Sequence, residues 1–145
     1  MRVRAGTPAD VDRALAIWRA AVDATHGFLS AADRAAIEAE VAGFLPLVPL
    51  AIVADDNDLA QAFMIQDNDM VEALFVDPAM HGKGLGSLLL AHARQQAGGP
   101  LRVDANLQAD NALPFYEVRG FVETGRSDRD GQVRPYAIVH LRQPS

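Results

Sequence analysis

Ala73-Leu74-Phe75-Val76-Asp77-Pro78-Ala79-Met80-His81-Gly82-Lys83-Gly84-Leu85-Gly86-Ser87-Leu88-Leu89-Leu90 carries more structural information than any other part of this chain. It opens as an apolar strand, breaks at Asp77-Pro78 and passes through three alternating glycines. It closes in a helical spacing of Leu85, Leu88, Leu89 and His92. A strand that feeds a glycine turn at a helix N-terminus is an anion site. Free backbone N–H groups point outward there, and the helix dipole favours negative charge. Glycine lets the backbone approach phosphate oxygens closely. Lys83 adds a positive charge and Ser87 a hydroxyl. Two other phosphate motifs do not fit. The dinucleotide pattern G-x-G-x-x-G would need a glycine at Ser87, and the P-loop needs a Gly-Lys-Ser/Thr ending.

Upstream, Val3 and Ala5 fit a first strand, and Thr7-Pro8-Ala9-Asp10 is a helix start with Thr7 as cap. Leu15, Trp18, Ala21 and Val22 follow at helical spacing, and Thr25 to Leu29 breaks the helix. Ser30 with Asp33 caps a second helix with an apolar stripe of Ile37, Val41, Phe44 and Leu45, ended by Pro46 and Pro49. Leu50–Ala54, Leu59–Gln66 and Met70–Val76 are strands of a meander, joined by Asp/Asn-rich turns. Downstream, Gly98-Gly99-Pro100 stops the leucine-rich helix, Leu101–Asn106 is a strand, and a short helix runs from Asp110 or Asn111 to Arg119. Gly120 ends that helix. Phe121–Gly125 and Val133–Leu141 form a last antiparallel pair. These elements make an α/β domain with a mixed sheet, spanning residues 1–145 as one unit.

Composition narrows the function. A net charge of -6 offers no basic face for nucleic acid and leaves room for a cationic substrate. With no cysteine there is no disulfide, no Cys-based zinc site and no thiol nucleophile. No His/Asp/Glu cluster has metal-site spacing, and the acidic turn Asp55-Asp56-Asn57-Asp58 lacks the length and glutamate of an EF-hand. No signal-peptide stretch and no membrane-length apolar run are present, so a cytoplasmic protein without membrane attachment is expected, as a monomer or homodimer.

At the glycine turn the sequence resembles the GNAT superfamily of N-acetyltransferases, whose acetyl-CoA motif is Arg/Gln-x-x-Gly-x-Gly/Ala between a strand and a helix. Here it reads His81-Gly82-Lys83-Gly84-Leu85-Gly86. A second family feature is a strand, then a short helix carrying an aromatic-Tyr pair, then Gly-Phe. Here Leu101–Asn106 precedes Phe115-Tyr116-Glu117-Val118-Arg119-Gly120-Phe121. Two positions depart from the pattern. His81 stands where Arg or Gln is usual, and its ring can still hydrogen-bond phosphate. Ala109 stands where many members carry a cofactor-contacting Asn, a contact that neighbouring Asn106 or Asn111 would have to supply instead.

The resemblance implies a GNAT fold of six to seven strands and about four helices, with two central parallel strands splayed apart. It implies direct attack of an amine on acetyl-CoA in a ternary complex. The open edge of Leu74, Phe75 and Val76 would hold the pantetheine arm, and the residues from His81 to Ser87, with Phe115, the rest of the cofactor. Tyr116 matches the family's general acid for the departing thiolate. Glu72 or Asp104, or a water relay, would take the amine proton. By alternation Glu72 shares a face with Leu74 and Val76, and Asp104 one with Arg102 and Asn106. Trp18, His26, Phe28 and Leu29 would form the acceptor wall, while His92 and His140 read as structural. The acceptor is a small-molecule, peptide or protein amine. The alternative of the same fold is a catalytically silent acyl-CoA-binding sensor.

Overall fold

The computed structural model describes residues 1–25, 27, 29–106, 112–128 and 137–144, with Asn106 described in its backbone alone. His26, Phe28, Asn111 and the side chain of Asn106 therefore lie outside the described residues, as does Ala109.

The strands are β1 (Arg2–Ala5), β2 (Ala51–Ala54), β3 (Ala60–Asp67), β4 (Met70–Val76), β5 (Arg102–Asn106), β6 (Val122–Ser127) and β7 (Ile138–Arg142). They form one mixed sheet in the order β1-β2-β3-β4-β5-β7-β6. Every pairing is antiparallel except β4 with β5. The helices are α1 (Val11–Thr25), α2 (Ala31–Phe44), α3 (Leu85–Ala97) and α4 (Ala112–Val118). The expected α/β class, meander and strand count are all present. The last hairpin is inverted in space: β7, the final strand, lies between β5 and β6.

Local chemistry explains the element ends. Thr7 and Asp10 form a reciprocal capping box over the short 3-10 turn Pro8–Asp10 that leads into α1. The Arg4 guanidinium grips Asp10 with both terminal nitrogens, at 2.8 and 2.9 Å, and holds its carboxyl down at about 2, with the Thr7 N–H assisting. Ser30 Oγ accepts from the Asp33 N–H at 3.1 Å and starts α2. The meander turns place Asp58 and Asn68 in the left-handed region, at φ 62° and 55°, residue types that tolerate it.

Two apolar layers sandwich the sheet. One joins α3 and α4 to Met64, Val71, Val103 and Leu141. The other joins α1 and α2 to Ile52, Phe63 and Ile65. The stripe on α2 is narrower than its sequence implies. Ile37 and Val41 pack, but Phe44 is 44% exposed, and Leu45 turns inward only because the chain enters a 3-10 turn there.

Candidate active site

β4 and β5 are in parallel register only at Met70↔Arg102 and Val71↔Val103. Beyond Val71 the strands part, and the β4 backbone edge facing β5 has no ladder partner among the described residues. A β-bulge accompanies the split. Ile65 pairs with Ala73 and Gln66 with Val71, so Glu72 is the extra residue on β4. The bulge breaks the alternation: Val71, Leu74 and Val76 all pack on the α3 side, while Ala73 and Phe75 face α1. Simple alternation does not hold across the bulge, and Glu72 lines the same cavity as Leu74 and Val76.

The parted strands open a cavity of about 690 Å³. Its walls are Glu72, Leu74, Phe75 and Val76 from β4 and Asp104 from β5. The glycine turn closes one end through His81, Gly82, Gly84, Leu85 and Gly86, and Phe115, Tyr116 and Arg119 of the α4 segment close another. Lys83 and Ser87 do not line it. Lys83 is exposed, and Ser87 Oγ accepts from Arg119 Nε at 3.0 Å.

The three glycines do different work. Gly82 and Gly84 are left-handed, at φ 76° and 79°, and an added Cβ at either meets nothing within 4 Å. Those two shape the turn and leave open space above it. Gly84 is the N-cap of α3 and offers no side-chain acceptor, so the first helical N–H groups are available to a ligand's oxygens. Gly86 is a packing position. A Cβ there would lie 2.6 Å from Phe115 Cζ. Its absence lets α4 dock on α3. Asp77 anchors the turn from below, capping Ala79 N–H at 3.0 Å and accepting from Arg13 of α1 at 2.7 Å.

Tyr116 is 7% exposed and meets Phe115 and Phe121 edge-on, with ring centroids 5.0 and 5.3 Å away. Burial pushes its phenol well above the ordinary value, against a small opposing effect of the Arg119 charge. The hydroxyl is therefore protonated at any working pH. It has no hydrogen-bond partner among the described residues, and the side chain lines the cavity. The sequence reading missed Arg119. Its guanidinium stacks 3.8 Å over the Phe115 ring and donates to the Phe115 carbonyl at 2.8 Å, placing a fixed cation on the cavity wall. The available signal was a basic residue immediately before the helix-ending Gly120.

The two acids on the cavity differ. Glu72 is exposed and has neither ion pair nor hydrogen bond among the described residues. Asp104 Oδ1 is 2.7 Å from His140 Nδ1. His140 is thus a partner of a cavity carboxylate, a role that the sequence did not reveal.

Of the expected acceptor wall, Trp18 and Leu29 are described, and neither lines the cavity. Trp18 is 3% exposed in the α1 layer, packed with Ile17 and Val22 and covered by the Arg34 guanidinium at 5.0 Å. It is a core residue because it lies on the sheet-facing stripe of α1. Leu29 packs against the same layer and does not reach the cavity. Ala21 and Thr25, one turn apart on α1, are what that helix contributes to the wall. Among the described residues no group of three or more acidic or histidine side chains could hold a metal, and no helix is long and apolar enough to cross a membrane.

The sequence matches the model of the acetyltransferase (GNAT) domain over residues 23–135. It is 40% identical to the peptidyl-lysine N-acetyltransferase YjaB of Salmonella typhimurium over 144 residues, 99% of both chains. It is also 40% identical to the protein of the same name from Escherichia coli over 127 residues, 88% of this chain and 86% of that one. The structure is similar to the solution structure of apo-form YjaB from Escherichia coli, with a TM-score of 0.92 and 37% identity, covering 97% of this chain and 95% of the other.

Proposed function

Starting from a chain that belongs to the GNAT acetyltransferase family, and is thus an acetyl-CoA-dependent N-acetyltransferase, we propose that its acceptor is the side-chain amine of a lysine in a peptide or protein. The Salmonella typhimurium relative named for that activity matches the chain almost end to end. The observation that carries the reading is the cavity between β4 and β5. It is lined by two carboxylates, Glu72 of β4 and Asp104 of β5, and by the buried phenol of Tyr116, which has no hydrogen-bond partner among the described residues. Carboxylates attract an ammonium group, and a low-dielectric wall strengthens that attraction.

Acetyl-CoA enters as a substrate. The edge of Leu74, Phe75 and Val76, without a ladder partner among the described residues, has backbone N–H and C=O groups to offer the pantetheine amides, and an N–H there can polarise the thioester carbonyl. The open space over Gly82 and Gly84 and the uncapped start of α3 suit the phosphates, with His81 beside them and Arg119 on the wall. The acceptor loses a proton to a cavity carboxylate. The free amine attacks the thioester carbon directly, and the C–S bond breaks as the C–N bond forms. Tyr116 meets the departing sulfur. Its raised pKa makes full proton transfer to a thiolate uphill, since a thiol titrates near 8.5. The hydroxyl therefore acts chiefly as a hydrogen-bond donor to the developing charge.

The test is incubation with acetyl-CoA and a set of Nα-blocked lysine peptides, read by free thiol release and by peptide mass. Acetylation at the lysine Nε is expected. Thiol release with small amines but none with lysine peptides would overturn the acceptor class. No thiol release with any amine would overturn the activity.

A further inference from the structure

The cavity wall carries a fixed positive charge. Among the described residues that line it, Arg119 is the only lysine or arginine. Lys83, the cation of the glycine turn, is exposed and does not line the cavity. Other arginines are spent on carboxylates, as Arg4 is on Asp10 and Arg102 on Asp69. Arg119 has no carboxylate partner among the described residues. Its contacts are a hydroxyl, a carbonyl and a ring. Nε donates to Ser87 Oγ at 3.0 Å, Nη1 donates to the Phe115 carbonyl at 2.8 Å, and the guanidinium lies 3.8 Å over the Phe115 ring. None of these neutralises it.

A guanidinium holds its N–H donors in a planar fork and stays charged at any working pH. One N–H on Nε and one on Nη1 are used here, so the rest of Nη1 and all of Nη2 are left for a ligand. Neighbouring N–H groups on such a fork match two oxygens of a phosphate. The stacked and bonded side chain has little rotamer freedom left to lose on binding. Capping the last turn of α4 accounts for the bond to the Phe115 carbonyl. It does not account for the reach across to Ser87 on another helix, or for the missing carboxylate.

Ser87 fixes where this charge sits. It follows Leu85 and Gly86 in the first turn of α3, and the N-cap before them, Gly84, offers no side-chain acceptor. The first N–H groups of α3 and the Arg119 guanidinium therefore share one corner of the cavity. The close approach of Phe115 to Gly86 is what brings the two segments together. The helix start supplies partial positive charge there, and Arg119 supplies a full one. CoA laid along the Leu74–Val76 edge reaches this corner with its diphosphate, the group that follows pantetheine in the molecule. We infer that Arg119 is the cation that binds the diphosphate of acetyl-CoA at the start of α3, and that it, rather than Lys83, makes the enzyme select CoA thioesters over phosphate-free ones. This rests on the acetyl-CoA dependence that family membership gives, and it is independent of which amine is acetylated.

The charges around the corner fit this assignment. His81 lines the cavity and is the other basic group on its wall. Glu72 stands near the split on β4, and the strand runs on to Val76 before the turn begins. That separation is roughly 13 Å of extended chain, beyond the screening length of about 8 Å at physiological ionic strength. Asp104 is on β5, across the split. The wall carboxylates therefore serve the amine and do not repel the phosphates. Glu117, close to Arg119 in the chain, is exposed and does not line the cavity. Arg119 is itself exposed on its outer side, so the diphosphate keeps part of its hydration when bound.

The experiment measures affinity for CoA and for dephospho-CoA, which lacks the ribose phosphate, by calorimetry. It adds kcat/KM with acetyl-CoA and with acetyl-pantetheine, which lacks the diphosphate, using an Nα-blocked lysine peptide or a small amine as acceptor. The wild type is compared with Arg119→Gln, Arg119→Lys and Lys83→Gln. Arg119→Gln should weaken CoA and dephospho-CoA alike, by about 5- to 50-fold, the size of a charged hydrogen-bonded contact at an exposed site. Its kcat/KM with acetyl-CoA should fall by a similar factor, while that with acetyl-pantetheine keeps the wild-type value. Arg119→Lys keeps the charge without the fork and should recover part of the loss. Lys83→Gln should change CoA affinity by less than about 3-fold. An equal fall with acetyl-CoA and acetyl-pantetheine means that Arg119 merely holds α4 and Tyr116 in place, and overturns the assignment. So does an unchanged CoA affinity in Arg119→Gln, or a larger loss in Lys83→Gln. A loss seen with CoA and absent with dephospho-CoA puts Arg119 on the ribose phosphate and overturns the diphosphate contact. A wild type that binds no CoA overturns instead the acetyl-CoA dependence on which the inference rests.

Discussion

Gly86→Ala isolates the packing role of the third glycine. The added methyl would stand 2.6 Å from Phe115 Cζ and 2.9 Å from Cε1, with Leu74 Cδ2 behind it at 3.7 Å. Carbon atoms in contact sit at about 3.5–4.0 Å, so the ring must retreat by roughly an ångström. Phe115 cannot do so alone. Arg119 is stacked on its face at 3.8 Å and bonded to its carbonyl, and Tyr116 meets it edge-on at 5.0 Å. The whole of α4 shifts, at a cost of about 1–3 kcal/mol for overpacking. For a domain of this size that is a fall of roughly 3–10 °C in Tm. A shift of α4 also moves the Tyr116 hydroxyl, so kcat should fall by about 10-fold or more, because an ångström of misplacement is costly in catalysis. The assay pairs thermal unfolding with thiol release and adds Phe115→Leu, alone and combined. Leucine ends short of the Cε and Cζ positions, so the double variant should recover part of both losses relative to additivity. If Gly86→Ala keeps wild-type Tm and kcat but loses acetyl-CoA affinity, Gly86 is a phosphate-loop residue after all and the packing argument is wrong.

Tyr116→Phe should lower kcat by about 10- to 1000-fold with little change in acetyl-CoA affinity, as measured under single-turnover conditions, because the lost bond matters at the departing sulfur. Unchanged kcat would make Tyr116 a packing residue. Gly84→Val forces a β-branched side chain into a left-handed site and should abolish acetyl-CoA binding by calorimetry, whereas His81→Ala should weaken it by a few-fold, since backbone donors remain. Equal losses would show that the imidazole carries the phosphates. The Asp10 carboxyl sits lower in the folded state than in the unfolded chain, so its stabilisation is full above about pH 4 and is lost as pH falls through about 2. Asp10→Asn should cost about 3 kcal/mol at pH 7, by denaturant unfolding, and flatten that acid loss. An unchanged acid profile would sink the assignment.

What could be read from the chain alone depended on distance along it. The turn from Asp77 to Gly86, the caps at Thr7 and Ser30 and the stop at Gly98 are written within a few residues of where they act, and local backbone chemistry dictates them. The bulge at Glu72 is different in kind. No residue type demands it; it exists because the β3–β4 register slips by one residue between the Ile65–Ala73 and Gln66–Val71 pairs, a relation between segments. Trp18 looks like a binding aromatic in the sequence, and only the packing of α1 on the sheet makes it core.

The hydrogen-bonded chain Asp104–His140–Ser127, in which His140 Nε2 is 2.7 Å from Ser127 Oγ, is the extreme case. Its members are 13 and 36 residues apart, and a simple hairpin order β5-β6-β7 would have put β6 next to β5 and separated His140 from Asp104. Inserting β7 between them puts a histidine against the acid of one neighbour and the hydroxyl of the other. The same inserted strand fills the β5 edge away from the split, so β5 can part from β4 and still keep a full ladder along its other side. The opening that admits substrate and the histidine that backs the cavity's acid thus have one topological cause, and no local pattern encodes it.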